Sequence, residues 1–116
     1  MNDKSISYKN TRVCYTVSGS GAAVMLLHGF AEDSRIWEQL VEPLSDKYTL
    51  IIPDLPGSGK SALLTGDNIQ MTDYADCMKA ILNEEGPEEC TLIGHSMGGY
   101  IMLAFAEMYP GTLKAA

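Results

Sequence analysis

Histidine is scarce in this 116-residue chain, with two in all, and so are phenylalanine (two), tryptophan (one) and cysteine (three). Cys14, Cys77 and Cys90 lie far apart with no C-x-x-C pair, which argues against a disulfide framework or a cysteine-based zinc site and leaves them as small apolar residues. Cations are few as well: 8 Lys and Arg against 15 Asp and Glu give a net charge of −7, and the acidic excess is spread along the chain. Nucleic-acid binding draws on clustered cations to displace counterions, so the composition speaks against that class of partner. Long apolar runs are missing too. The longest, 22–27 and 100–106, fall far short of the ~20 residues of a membrane span. The polar opening MNDKSISYKN has no basic start, apolar middle or cleavage site of a secretory signal. A soluble, cytoplasmic protein with neither a nucleic-acid nor a membrane partner is the expectation.

What the chain does have is a regular alternation of short apolar runs and helical periods, enough for a single domain over residues 1–116. β-branched and aromatic residues in 5–9 and 11–18 flank Lys9-Asn10, the pattern of a hairpin. AAVMLL (22–27), YTLII (48–52) and CTLI (90–93) are continuous apolar runs of the kind that fill strands buried on both faces of a parallel sheet. Between and after them lie helical periods. Ser34 is placed to cap a helix through Leu44, with Ile36, Trp37, Leu40, Val41 and Leu44 on one face; a second runs from Thr72 to about Asn83 and a third from Met97 to Tyr109. The expected fold is α/β: a mainly parallel sheet begun by an antiparallel hairpin, with helices on both faces.

Chemistry concentrates where strands end. Gly94-His95-Ser96-Met97-Gly98-Gly99 follows one buried run and opens a helix, the context that a G-x-S-x-G nucleophile elbow requires. Glycine at 94 and 98 would remove side chains that collide with the neighbouring helix and strand, and Ser96 at a helix start faces unsatisfied N–H groups that favour negative charge. The alternative is a glycine-rich turn without chemistry. Gly57-Ser58-Gly59-Lys60-Ser61 invites a phosphate-loop reading, but G-x-x-x-x-G-K-[ST] needs glycine where Asp54 stands. An aspartate there would repel phosphate.

Taken together, HGF (28–30) after the third strand, DLPGSGKS (54–61) after the fourth and GHSMGG (94–99) after the fifth resemble the α/β-hydrolase family of esterases and related enzymes. The resemblance implies Ser96 as nucleophile, with the backbone N–H groups of Phe30 and Met97 as the oxyanion hole and no cofactor. It implies a small acyl substrate, such as a carboxylic ester, handled through a Ser96 acyl-enzyme. Serine speaks against haloalkane dehalogenase and epoxide hydrolase relatives, which resemble this family but place aspartate there. Peptidases, thioesterases, carbon–carbon hydrolases and lyase-like relatives with a serine elbow remain open. Asp54 precedes the serine, whereas in the family the triad acid follows it, so its expected role is to organise its loop.

A serine nucleophile needs a base. His28 lies on the expected oxyanion loop and is read as structural; His95 adjoins Ser96 on a turn where successive side chains diverge. The catalytic acid and histidine are therefore expected to be missing from this chain, which would carry about the first five of the family's roughly eight strands and be a partial fold or truncated domain. The strand at Cys90–Ile93 would then show an unpaired edge open to self-association. The competing expectation is a non-catalytic fragment or interaction protein that keeps the scaffold.

Overall fold

The computed structural model describes residues 2–116, starting with an antiparallel hairpin of β1 (Asn2–Tyr8) and β2 (Thr11–Gly19). Lys9 and Asn10 turn it with φ of 47° and 65°, the two-residue left-handed geometry that suits the twist of flanking strands. β1 begins before the predicted Ser5 because Asn2, Asp3 and Lys4 pair across the hairpin with Val17, Thr16 and Tyr15. Four more strands follow, β3 (Ala22–Leu27), β4 (Tyr48–Pro53), β5 (Cys90–Gly94) and β6 (Leu113–Ala115), in the order β1-β2-β4-β3-β5-β6. β2 meets β4 antiparallel; β3 runs parallel to both β4 and β5, and β5 runs parallel to β6. The sheet is thus mainly parallel and begun by a hairpin.

The apolar runs are continuous because alternate residues feed different cores. Met25, Leu27, Ile51 and Leu92 point into the larger one, which also takes Met78, Ile81 and Leu82 of α2 (Met71–Glu85) and Ile101 and Phe105 of α3 (Met97–Met108). Val24, Leu26, Leu50 and Ile52 face the other way, onto Trp37, Val41 and Leu44. That smaller core is closed by a 3₁₀ turn (Ser34–Trp37) running into α1 (Glu38–Ser45). Helices therefore cover both faces, two on one side and one on the other.

Two expectations shift. The first helix starts at Ser34 itself and is capped by Asp33, whose carboxylate accepts from the Arg35 N–H, while the Ser34 N–H donates to Asp54. The edge expected at Cys90–Ile93 is partly covered: Cys90 and Thr91 pair with Leu113 and Ala115 of β6, leaving the end of β5 open on that side. Among the described residues, no helix is long and apolar enough to cross a membrane.

Candidate active site

Three loops meet at the carboxyl ends of β3, β4 and β5. The loop after β4 is held from inside by Asp54, which is buried; its carboxylate accepts from the Ser34 N–H at 2.9 Å and the Lys60 N–H at 3.0 Å. Ser61 donates to the Asp54 carbonyl at 2.6 Å and accepts from the Cys14 N–H at 2.8 Å. Lys60 and Ser61 are thereby spent on the loop's own structure. No helix starts until Met71, so a phosphate-loop arrangement is not formed.

His28 ends β3 fully buried. Its Nε2 accepts from the Leu55 N–H at 2.9 Å, which fixes the proton on Nδ1, and Nδ1 donates to the Gly29 carbonyl at 2.8 Å. Both ring nitrogens are occupied, and the imidazole ties the β3 loop to the β4 loop. Beyond it, Gly29 to Glu32 form a tight turn closed by the Glu32 N–H on the Gly29 carbonyl, with Ala31 at φ 62° and Phe30 80% exposed.

The turn after β5 is the most constrained backbone in the site. Ser96 has φ 57° and ψ −117° as N-cap of α3, a conformation that costs an L-residue on the order of 1–3 kcal/mol and persists only where the surroundings impose it. They do so through two close approaches. A side-chain carbon on Gly94 would come within 2.4 Å of the Gly98 carbonyl oxygen, and one on Gly98 within 2.3 Å of the Leu27 carbonyl oxygen. Only hydrogen fits at either place. Strand β5, helix α3 and the end of β3 are thus locked together, with Ser96 exposed at their junction. Among the described residues, neither the Phe30 N–H nor the Met97 N–H donates a hydrogen bond.

Glu32 has no counterpart in the sequence-based site. One of its oxygens accepts from the Gly29 N–H at 2.6 Å and also meets His95 Nδ1 at 3.0 Å. These contacts, the His95 one foremost, hold the Glu32 carboxyl below its ordinary range. Nothing local in the sequence marks it: His95 is 63 positions away. No group of three or more His, Cys, Asp or Glu among the described residues could hold a metal ion. A groove of about 740 Å³ adjoins the β4 loop, lined by Arg12, Thr16, Arg35 and Glu38 together with Asp54 and Lys60, but its lining excludes Ser96, Phe30 and Met97. The convergence of three loops is the better guide to the site, since ligands of open α/β sheets bind outside the carboxyl ends of the strands.

A mainly parallel sheet with a strained serine at a strand-to-helix junction defines a hydrolase-type α/β protein. The chain belongs to the alpha/beta hydrolase fold family, whose model matches residues 22–116. It is 34% identical over 97 residues to the pimeloyl-[acyl-carrier protein] methyl ester esterase of Aeromonas hydrophila, covering 84% of this chain and 37% of that protein. Against the soluble epoxide hydrolase of Corynebacterium sp. strain C12 the identity is 30%, covering 90% of this chain and 41% of that one. The solved esterase of Thermogutta terrifontis superposes with a TM-score of 0.87 at 32% identity, covering 97% of this chain and 43% of its own. The chain therefore spans less than half the length of these relatives.

Proposed function

We propose that Ser96 is the nucleophile of a serine hydrolase acting on a carboxylic ester or similar acyl substrate. Its Oγ would attack the acyl carbon as a base takes the hydroxyl proton. The carbonyl oxygen, now negative, would be received by the N–H groups of Phe30 and Met97. Collapse expels the alcohol with a proton, and water then cleaves the acyl-enzyme. The observation that carries this reading is the left-handed Ser96 backbone, clamped by Gly94 and Gly98, since strain of this size concentrates at functional sites. His28 is engaged at both nitrogens, and His95, although its Nδ1 meets the Glu32 carboxylate, is the immediate chain neighbour of Ser96 on a turn where successive side chains diverge, so on this reading neither is the base.

Epoxide opening, which the Corynebacterium relative's name would bring, fits less well. Attack by a serine oxygen on an epoxide carbon would leave an ether that water does not cleave, whereas acyl transfer leaves a hydrolysable ester.

The test is labelling by an alkyl fluorophosphonate, in which Oγ bonds to phosphorus and fluoride leaves. Without a built-in base the reaction retains the help of binding and the oxyanion hole, on the order of 10³-fold or more over water, and added imidazole can accept the proton. Labelling that rises with imidazole and vanishes in Ser96→Ala is expected. A chain that stays unlabelled with imidazole overturns the nucleophile assignment and favours a non-catalytic scaffold.

A further inference from the structure

We infer that Glu32 is a positioning residue that holds the Phe30 loop in register with the Ser96 turn, an inference that rests on Ser96 being the nucleophile. A single Glu32 oxygen bridges the two loops, taking the Gly29 N–H on one side and His95 Nδ1 on the other. Gly29 and His95 are the immediate neighbours of Phe30 and Ser96 respectively, so the bridge spans one residue to either side of the reacting geometry. The loops are in close contact at that point. A side-chain carbon on Gly29 would lie 2.8 Å from the same Glu32 oxygen, 2.9 Å from Ser96 Cβ and 3.0 Å from the His95 carbonyl oxygen.

This packing blocks movement of the Phe30 loop towards the Ser96 turn, so what matters is a tie that resists movement away from it. His28 anchors the start of the loop to the β4 loop through Leu55, but that tie does not reach the Ser96 turn. The Glu32 carboxylate does. It is also held in place from its own side, because the Glu32 N–H closes the turn onto the Gly29 carbonyl. An acceptor of full negative charge makes the Gly29 N–H bond short and strong, and the His95 contact gives it direction. Displacement of a donor by about 1 Å can cost on the order of a hundredfold in rate. Loss of the bridge is therefore expected to act on the chemical step, leaving binding of the probe's alkyl group unchanged.

The experiment compares the whole chain with Glu32→Ala and Glu32→Gln in imidazole-assisted fluorophosphonate labelling, alongside backbone amide NMR. Glu32→Ala is expected to lower the labelling rate at saturating probe by roughly tenfold to a hundredfold at unchanged half-saturation. The Gly29, Phe30 and His95 amide signals should move while those of α3 beyond its first turn stay in place. Glu32→Gln keeps an oxygen able to accept from both partners and should recover most of the rate. Unaltered labelling in Glu32→Ala, or unmoved Gly29 and Phe30 signals, overturns the inference. Should the parent chain resist labelling, the nucleophile assignment fails on its own, and the same three amide signals alone decide whether Glu32 joins the loops.

Discussion

At Ser96 a single backbone conformation carries both a cost and a function, and the two can be separated by substitution. With φ at 57°, any residue with a Cβ is strained, and glycine alone is not. Ser96→Gly should therefore be more stable than Ser96→Ala by about 1 kcal/mol after glycine's extra unfolded-chain entropy is set against the relieved strain, roughly 4 °C in thermal midpoint. Calorimetry of the two variants measures it, and equal midpoints would mean that the turn relaxes around alanine. The tight turn that imposes this strain was legible in the sequence because the flanking glycines leave so few geometries for G-H-S-M-G-G between a buried strand and a helix. Asp54 was legible as an organiser of its loop from its place before the serine. Glu32 was not, since its role depends on which loops meet in space and its partners Gly29 and His95 sit on different strands' ends.

Among the elements, α2 is fastened by two carboxylates in addition to its apolar face. Asp76 accepts hydrogen bonds from the Tyr109 and Tyr8 hydroxyls, and Glu85 accepts from Tyr15 at 2.6 Å and from Lys4 at 3.0 Å. The Tyr109 and then Tyr8 bonds hold the Asp76 carboxyl below its usual range. For Glu85 desolvation pushes upward, but the Tyr15 and Lys4 bonds outweigh it and the net shift is also downward. A carboxyl whose folded value is depressed adds stability above its unfolded value, near pH 4, and loses it as pH falls through the folded value. Tyr8→Phe should accordingly cost about 1–2 kcal/mol at pH 7, with the deficit shrinking as pH falls below about 4, where the unfolded chain takes up the Asp76 proton before the folded parent does. Urea unfolding at pH 7 and pH 3 measures the difference; a deficit independent of pH would assign the loss to packing. None of these pairings could be read from the chain, whose helical period announces α2 and its buried stripe but not the tyrosines that lie 68 and 70 positions away. The buried strands were legible nearly to the residue because a run apolar at every position suits a strand with a core on each side.

At the scale of the molecule, the sheet is covered unevenly. Cys90 and Leu92 of β5 pack into the larger core beneath α2 and α3, while Ile93, on the opposite face, is 41% exposed and α1 does not reach it. β1 forms one edge of the sheet; the edge beside β5 is β6, three residues long with Lys114 at its centre, and short edges bearing lysine discourage pairing with another chain. We propose that any self-association uses the open end of β5 and the Ile93 face. Because Ile93 is only 41% exposed in each chain, covering the remainder contributes about 1 kcal/mol per side chain, against an association cost of at least about 4 kcal/mol. The balance permits only weak contact, with dissociation constants of about 1 mM or weaker even with a few added hydrogen bonds. Sedimentation velocity should show a monomer at low micromolar concentration and a rising average coefficient towards millimolar, and Ile93→Lys should flatten that rise by placing a charge where the two faces would meet. A rise unchanged in Ile93→Lys would move the contact to the β1 or β6 edge or to the helices, and a flat profile in the parent chain would show that the uncovered face is tolerated in water.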